Sequence, residues 1–574
     1  MRNRRNRVAG RRRFINGITF LIAGFGVSGQ GNTADITLGE TACSALNGQT
    51  IGPTRIDLPS GEAKVASAMM MPSVLAGTNP QGRPTPATPA YCKVLGSIAP
   101  IDPTAPPINF QVNLPVNWNG KSVQYGGSGY NGVLITGLAA LRDAPPNVPT
   151  PLAQGYVTLG TDSGHQAAVL PEIHAFALNE EAFVNFAYAS YKKVHDVAAE
   201  VTRTAYGRNI SRFFFFGGSE GGREALMMAQ RFPQDYDGIV SVVPAIGFVG
   251  MNIKHARLGT LQRNGGWLSP GKLSTLQKGV LTACDDLDGL KDGVIGNIQA
   301  CARTFDAKAL RCESGKNASD DCLSDLEIAV VEAIHAPYEF GFLLANGITS
   351  FPSSGGYGGE TQPGGLNAYI AGPKPPAFPP LSQSEQSQMW FYANGFTRYF
   401  IVRDAKFDPS KFTPQAFATR IQELSALMDA TNPDLSAFKQ RGGKLIMRSN
   451  LADYAVSPFA LMNYYEAVTK LMGNDAVDQF VRFYVSPGSA HSGLVLSGID
   501  GTPVPRQADL LSVLDTWVDK GQSPPSDKLI QTLHTKEAPF PVVASRPMCA
   551  YPAYPRYVGM GNPKSADSYE CRKS

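Results

Sequence analysis

The sequence lacks three features that would each indicate another class of protein. The apolar run over residues 14–27 is too short to span a bilayer, and no second run elsewhere accompanies it. The chain has no Cys-x-x-Cys pair and no cluster of histidine and cysteine, which argues against a zinc site. Its formal net charge of +4 is small for 574 residues, and much of the basic excess precedes residue 14. We therefore expect neither a membrane anchor nor binding to nucleic acid.

Residues 1–34 have the order of an export signal. A run of arginines comes first, the short apolar run follows, and small residues come last. The segment Arg11-Arg12-Arg13 with Phe14 resembles a twin-arginine signal, and an ordinary Sec signal is the alternative. This order predicts a secreted or periplasmic protein.

Eight cysteines, an even number, fit an oxidising compartment. They fall into pairs that are close in the sequence. Eight cysteines allow about 105 connectivities, and the simplest joins each cysteine to its neighbour in the sequence. Spacing alone leaves the other connectivities open.

Short apolar segments alternate with helical patterns in two parts of the chain. Strands are predicted over residues 108–114, 122–125, 156–160, 213–216, 239–243, 444–448 and 481–485, and helices over residues 180–206 and 508–520. Strands separated by helices indicate parallel pairing in an α/β fold. The alternation disappears over residues 248–438, which are rich in Gly, Pro and Ser. We interpret this stretch as an inserted lid domain, and residues 35–247 with 439–574 as the catalytic domain.

A buried strand runs directly into the motif Gly217-Gly218-Ser219-Glu220-Gly221, and a helical pattern follows. Strand, tight glycine turn, serine and helix are the context of a nucleophile elbow, which exposes the serine hydroxyl above a sheet. A flexible Gly/Ser loop is the alternative, and the flanking elements disfavour it.

A serine nucleophile requires a base and an orienting carboxylate. His491 follows the predicted strand over residues 481–485, and Asp453 follows that over 444–448. His165 also follows a strand, but it precedes the serine, whereas α/β-hydrolases have the order Ser, acid, His. Asp453 as a simple turn aspartate is the alternative reading of its position.

Two loops remain for supporting roles. The glycine-rich segment over residues 125–132 follows an early strand, where the second backbone donor of an oxyanion hole is expected beside the N–H of Glu220. The segment over residues 285–294 places aspartates at short intervals around two glycines, a donor set that suits Ca²⁺. A plain Asp/Gly turn is the alternative for this acidic loop.

With these residues in place, the chain resembles the tannase and feruloyl esterase family. The resemblance covers nearly the whole chain after the export signal and includes residues 125–132, 217–239, 284–297, 441–453, 487–491 and 546–571. Within that family the layout is similar to that of bacterial mono(2-hydroxyethyl) terephthalate hydrolases.

This resemblance implies an α/β-hydrolase fold with a large inserted lid domain, and it assigns roles to individual residues. It implies the triad Ser219, Asp453 and His491, with backbone oxyanion donors at Glu220 and Gly129. It implies a structural calcium ion held by Asp285, Asp288 and Asp292 and by the carbonyls of Leu290 and Val294. It also implies the disulfides Cys43–Cys92, Cys284–Cys301, Cys312–Cys322 and Cys549–Cys571.

The chain departs from the family pattern beside the triad. The family usually has a cysteine directly before the serine and another directly after the histidine, joined as a disulfide. Gly218 and Ser492 occupy these positions here. We therefore expect packing and hydrogen bonds to hold the loop that carries His491.

A second departure concerns the substrate. Terephthalate half-ester hydrolases bind the free carboxylate with a lid arginine, and the corresponding position here is Tyr392. Arg398 and Arg403 lie nearby in the sequence and are candidates to replace it. Phe396, Tyr392 and Val456 are the candidate substrate contacts, with an aromatic lid core as the alternative for the rings.

The sequence thus predicts a secreted serine carboxylesterase that hydrolyses small aromatic carboxylic acid esters, with Ca²⁺ as a structural cofactor. Hydrolysis of terephthalate half-esters is the alternative. From another class, a catalytically silent hydrolase fold used for binding remains open, and a metal-dependent hydrolase is a weaker third hypothesis.

Overall fold

A twelve-stranded mixed sheet forms the centre of the protein. The computed structural model describes residues 37–78 and 84–573, and the predicted export signal lies outside them. The strands of this sheet are β1 (Thr50–Ile51), β2 (Ala63–Met71), β3 (Tyr91–Ile98), β4 (Ile108–Pro115), β5 (Lys121–Tyr125), β6 (Val157–Thr161), β7 (Arg212–Gly218), β8 (Gly238–Val242), β9 (Lys444–Asn450), β10 (Val481–Ser486), β11 (Lys528–His534) and β12 (Val542–Ala550).

The order of strands across the sheet is β1-β2-β3-β4-β6-β5-β7-β8-β9-β10-β12-β11. The central strands from β6 to β10 pair in parallel, and the strands on either side pair antiparallel. The parallel strands are buried almost throughout, as expected where helices cover both faces of a sheet. This arrangement confirms the α/β-hydrolase fold that the sequence predicts.

Helices pack on the sheet and fill the long connections. They are α1 (Glu40–Ser44), α2 (Glu180–Val184), α3 (Ser190–Tyr206), α4 (Glu220–Arg231), α5 (Phe248–Leu261), α6 (Pro270–Cys284), α7 (Ile298–Thr304), α8 (Asp325–His335), α9 (Gln388–Gly395), α10 (Ala418–Met428), α11 (Ser436–Gln440), α12 (Pro458–Met472), α13 (Asn474–Val477) and α14 (Leu510–Lys520). The predicted helix over residues 180–206 is confirmed as α2 and α3, joined by a π-helical turn over Asn185–Ala189.

The four consecutive phenylalanines of β7 supply the core on both faces of the sheet. Phe213 and Phe215 belong to the cluster that contains the apolar side of α3, whereas Phe214 and Phe216 belong to the cluster that contains that of α14. Successive side chains of a strand point to opposite faces, so an unbroken apolar run is what a strand covered on both sides requires.

The connection between β8 and β9 is the longest of the sheet and corresponds to the predicted insertion. It contains α5 to α11 and two short strands, Tyr338–Glu339 and Ser350–Phe351, which pair only with each other. Its contacts with the remainder are dense enough that residues 36–574 form one compact unit. The boundaries of a separate lid domain therefore stay a prediction.

All four sequential cysteine pairs are confirmed. Cys43–Cys92 joins α1 to β3, and Cys284–Cys301 joins α6 to α7. Cys549–Cys571 joins β12 to Tyr569–Lys573, a strand that pairs with Ala553–Tyr557. Crosslinks of this kind stabilise a fold by restricting its unfolded chain.

Candidate active site

The predicted catalytic residues follow different strands and meet at one edge of the sheet. Ser219 directly follows β7, Asp453 lies just after β9, and His491 lies just after β10. The loop that contains Gly129 follows β5. The carboxyl ends of parallel strands share an edge, and this edge is where open α/β sheets bind ligands.

Ser219 occupies a strained turn between β7 and α4. Its φ of 61° and ψ of −122° lie outside the regions that side chains usually adopt. The turn is held from below by a 2.9 Å hydrogen bond from the N–H of Ser219 to the carbonyl of Val242. A Cβ on Gly217 would lie 1.9 Å from the carbonyl oxygen of Gly221, so the chain needs glycine there to turn this sharply.

The three predicted triad side chains form a continuous hydrogen-bonded chain. The Oγ of Ser219 lies 3.0 Å from Nε2 of His491, and Nδ1 of His491 lies 2.8 Å from Oδ2 of Asp453. The other oxygen of Asp453 accepts the N–H groups of Ala455 and Val456 at 2.8 and 3.0 Å. The carboxylate is 1% exposed, so its orientation is fixed and water does not compete for it.

The rival histidine, His165, lies in the core. Its ring stacks on Phe176 with centroids 3.7 Å apart, and Nε2 lies 2.9 Å from the carbonyl oxygen of Tyr130. Burial lowers the pKa of His165 to about 4, so it stays neutral. This histidine supports the loop after β5, as the chain order of the triad predicts.

Glu220 and Gly129, the predicted oxyanion donors, both line the cleft beside Ser219. Gly129 has a φ of 58°, and a Cβ there would begin 2.8 Å from the hydroxyl oxygen of Tyr392. Glycine is therefore required at this position.

Two side chains that the sequence analysis did not single out shape the Gly129 loop. Glu224 accepts the N–H of Gly127 at 2.8 Å and the amide of Asn131 at 2.7 Å. Asn131 in turn accepts the N–H of Ser128 at 2.7 Å through its side-chain oxygen. The N–H groups of Gly127 and Ser128, which precede Gly129 in the loop, are thus already hydrogen-bonded. No local pattern in the sequence marked Glu224, because α4 also carries Glu220, Arg223 and Arg231.

A buried charge cluster lies directly behind the serine. Arg223 pairs with the side chain of Glu220, and its guanidinium lies between the rings of Phe186 and Phe248 at 5.7 and 5.6 Å. Burial raises the pKa of Glu220 to about 7, although Arg223 opposes this shift. Burial also raises the pKa of Glu224. Arg223 therefore offsets part of the free energy that it costs to bury the carboxyl groups of Glu220 and Glu224 away from water.

The cleft above Ser219 has a volume of about 230 Å³ and combines apolar walls with a few polar groups. The predicted contacts Tyr392 and Val456 both line it. Phe396 does not line the cleft, because its ring is fully buried against Phe248 and Phe400. The prediction of a direct contact fails for this residue; it supports the wall from behind. The apolar part of the wall comes from Ala245, Phe248, Met251, Met389, Tyr392, Ala455 and Val456.

The two candidate carboxylate-binding arginines lie elsewhere. Arg398 is buried and forms a bidentate ion pair with Glu172, and it also donates to Asn394 at 2.6 Å. Arg403 pairs with Glu180 and donates to the carbonyl of Leu178 at 2.7 Å. Neither lines the cleft. A different arginine, Arg142, does line it, and nothing in its local sequence pointed to the active site.

The acidic loop between α6 and α7 carries the predicted calcium ligands. Carboxylate oxygens of Asp285, Asp288 and Asp292 accept backbone N–H groups of the loop itself, and Asp292 also pairs with Arg546. Burial and the charge of Asp292 raise the pKa of Asp288 to about 8. Within residues 37–78 and 84–573, no three side chains of His, Cys, Asp or Glu converge as a metal-binding group. The donor chemistry thus suits calcium, whereas the side chains are not gathered around one point.

Comparisons with known proteins agree with this geometry. Residues 92–572 match a family model described as tannase and feruloyl esterase. The chain is 37% identical over 539 residues to an uncharacterized esterase of Agrobacterium fabrum, covering 92% of each chain. It is 31% identical to a mono(2-hydroxyethyl) terephthalate hydrolase of Piscinibacter sakaiensis, covering 84% of this chain and 85% of that protein.

Solved structures show the same fold. The crystal structure of feruloyl esterase B from Aspergillus oryzae superposes with a TM-score of 0.73 at 23% identity. The superposition covers 93% of this chain and 100% of that one. At this level of identity the likeness concerns the fold alone.

The side chain of Asn131 should be essential for the shape of the oxyanion loop. We expect Asn131→Gly to lower kcat by about 10- to 100-fold, below the roughly 10²- to 10³-fold that loss of an oxyanion donor itself costs. Glycine keeps the left-handed φ of 55° but removes the side-chain hydrogen bonds to Ser128, Glu224 and Tyr191. Steady-state kinetics on a chromogenic ester would measure the effect. A kcat equal to that of the unaltered protein would show that the backbone alone sets the loop.

Proposed function

Since the chain belongs to the tannase and feruloyl esterase family and is a carboxylic ester hydrolase, we propose that it is a secreted serine carboxylesterase that cleaves esters of aromatic carboxylic acids. The observation that carries the proposal is the Ser219–His491–Asp453 hydrogen-bonded chain at the base of an apolar cleft. A catalytically silent binding protein would have no need for this alignment.

In the acylation step, Ser219 Oγ attacks the ester carbonyl while Nε2 of His491 takes its proton. Asp453 accepts Nδ1–H, which fixes the imidazole in the tautomer that leaves Nε2 free, and it stabilises the imidazolium that forms. The N–H groups of Glu220 and Gly129 receive the negative charge that develops on the carbonyl oxygen. His491 then protonates the leaving alcohol, and the acyl group remains on Ser219.

Deacylation repeats these roles with water as the nucleophile. His491 takes a proton from the water, the same two N–H groups hold the oxyanion, and His491 returns the proton to Ser219 as the acid leaves. The strained backbone at Ser219 keeps the hydroxyl in place through both steps.

The walls of the cleft favour an aromatic acyl group. Phe248, Met251, Met389 and Tyr392 present rings and thioethers, which pack well on a flat aromatic surface. Gln388 also borders the cleft and offers an amide for ring hydroxyls. We infer that the insertion, which supplies most of this wall, acts as a lid that selects the acid.

Cleavage of terephthalate half-esters is the second candidate, favoured by the similarity to the Piscinibacter sakaiensis protein. Such a substrate needs a cation at the far end of the cleft. Arg398 and Arg403 are both held in ion pairs outside it. Arg142 does line the cleft, but its guanidinium packs against Gly218 and donates to the carbonyl of His491. Neutral aromatic esters therefore fit the cleft better.

Secretion is supported by the four disulfides and by the order of residues 1–34. No helix within the described parts of the chain combines the length and the apolarity that a membrane span requires.

A structural calcium ion in the acidic loop is proposed as the cofactor. Asp285, Asp288 and Asp292, with the carbonyls of Leu290 and Val294, would provide the oxygen ligands that this ion prefers. It would tie the loop between α6 and α7 together next to the Cys284–Cys301 disulfide. No step of ester hydrolysis uses this loop.

Ser219→Ala should abolish turnover of a p-nitrophenyl ester of an aromatic acid. Wild-type protein mixed with excess substrate should release a burst of p-nitrophenol stoichiometric with enzyme if deacylation is slower than acylation, and the variant should release none. Stopped-flow absorbance would record both. Turnover by a folded Ser219→Ala variant at the wild-type rate would refute the serine mechanism.

A matched pair of esters should separate the two candidate substrates. We compare 2-hydroxyethyl benzoate with mono(2-hydroxyethyl) terephthalate, which differ only in the second carboxylate. Since Arg398 and Arg403 lie outside the cleft, we expect kcat/KM to be at least as high for the benzoate. A preference of about tenfold or more for the terephthalate, about 1.4 kcal/mol in the transition state, would favour the half-ester activity instead.

Removal of calcium should weaken the fold and leave the chemistry intact. EDTA should lower the unfolding temperature, because three aspartates would lose their shared cation, while kcat measured well below that temperature should not change. Differential scanning fluorimetry with EDTA and with added Ca²⁺ would test this. An unfolding temperature that neither reagent changes would contradict the calcium proposal.

A further inference from the structure

The space next to Gly218, beside the nucleophile, is filled by the side chain of Arg142. A Cβ built on Gly218 would lie 2.6 Å from Cδ of Arg142, 3.3 Å from its Nη1 and 3.4 Å from its Nε. Arg142 thus packs directly on the backbone that precedes Ser219. Only glycine at position 218 leaves room for this contact.

The guanidinium of Arg142 also reaches the base. Its Nη2 donates a hydrogen bond to the backbone carbonyl of His491. This is the residue whose imidazole contacts Ser219 on one side and Asp453 on the other. Arg142 therefore connects the backbone under the nucleophile with the backbone of the base.

Arg142 is itself anchored by a buried charge cluster. Oδ1 of the neighbouring Asp143 forms an ion pair with Arg506, at 2.8 Å from its Nε and 2.7 Å from its Nη2. Oδ2 of Asp143 lies 3.3 Å from Nη1 of Arg448 in β9. Arg506 also donates to the carbonyl of Gly493 at 2.6 Å. Burial alone would raise the pKa of Asp143, but Arg448, Arg506 and Arg142 outweigh it and lower that pKa. The carboxylate thus stays charged and holds the segment in place.

Other side chains also contact the loop of the base. The amide of Asn450 donates to the carbonyl of Ala490 at 2.9 Å, and the ring of Tyr369 meets that of His491 edge-on at 5.1 Å. Tyr369 also donates to Ser492 at 3.1 Å. These contacts position the loop, but Arg142 alone among them touches both the backbone of His491 and the elbow.

We propose that Arg142 is a positioning residue that holds His491 in line with Ser219, and that Gly218 exists to accommodate it. The four disulfides join other parts of the chain, so this hydrogen-bonded and packed brace takes the place of a covalent one. The inference rests on the proposed serine mechanism.

Substituting Arg142 should affect the chemical step and not the affinity for a small neutral substrate. For Arg142→Met, which fills similar space without a donor, we expect kcat on p-nitrophenyl acetate to fall about 10- to 100-fold, with KM changing less than about threefold. Arg142→Lys should recover part of the loss. Arg263→Met, which removes a partly buried arginine outside the cleft, should retain full kcat.

Three outcomes would overturn the proposal. One is an unchanged kcat in Arg142→Met. Another is a rise in KM at constant kcat, which would make Arg142 a substrate contact. The third is a fall in kcat that the unfolded fraction of the variant explains in full, as measured by circular dichroism and active-site titration. If Ser219→Ala stays active, the proposed function fails; if only Arg142→Met stays fully active, this inference alone fails.

A double-mutant cycle should show that Gly218 and Arg142 act together. Gly218→Ala should lower kcat by about tenfold or more, because the new methyl group displaces Arg142. In the Arg142→Met background, where the side chain can move aside, the same change should cost less than about threefold. Gly52→Ala, at an extended position with nothing within 4 Å, is the control for the glycine change itself. Additive losses would refute the coupling.

Discussion

The close approach of two glycine backbones is the constraint on which the active site depends. Gly221, in the first turn of α4, donates to the carbonyl of Gly127 at 3.2 Å, and a Cβ on Gly221 would lie only 2.7 Å from that oxygen. This contact fixes the loop after β5 against the turn after β7. Ser219 and the proposed oxyanion donors Glu220 and Gly129 therefore lie on two segments that cannot move apart independently. Preorganised donors of this kind need no rearrangement as charge develops.

The contact between these two segments requires buried carboxyl groups, whose burial costs free energy. A buried arginine offsets part of this cost. Glu224 holds the Gly127 loop and Glu220 follows the serine, and both carboxyls are buried. Arg223, enclosed by aromatic rings and by the carbonyls of Ala187 and Met428, supplies the compensating charge. Removing one member of such a cluster leaves a buried charge unpaired, which usually costs more than the intact cluster contributes. The rigidity of the site and the burial of its charges are thus linked.

Residues that hold the base in place are distributed differently from those that hold the nucleophile. Ser219 is positioned mainly by backbone contacts of its turn, with Arg142 packed on Gly218, whereas His491 lies on a loop whose position depends on side chains from four segments. Asp143, Arg448 and Arg506 connect these segments through one buried carboxylate. A loop held by directional contacts can be as well ordered as a crosslinked one when its partners are themselves buried and paired.

Most of the fold and the triad could be predicted from the sequence, because local patterns determine them. The predicted strands differ from the observed ones by no more than about two residues, since buried parallel strands are continuous apolar runs bounded by glycine or polar residues. Strands β1, β2, β3, β11 and β12 of the central sheet were missed. They pair antiparallel at the flanks, and β2 and β11 are half-exposed, so their apolar pattern is weak.

The sequence by itself predicted that Ser219, Asp453 and His491 meet, because each follows a strand and the order of strands limits which residues can meet. It also determined the cysteine pairs once the family resemblance was recognised. Only the tertiary structure decided that Phe396 supports the cleft wall without lining it, that Arg398 and Arg403 are held in ion pairs, and that Arg142 lies at the site. These side chains reach their positions through contacts between segments distant in sequence, and no local pattern encodes where such a side chain ends.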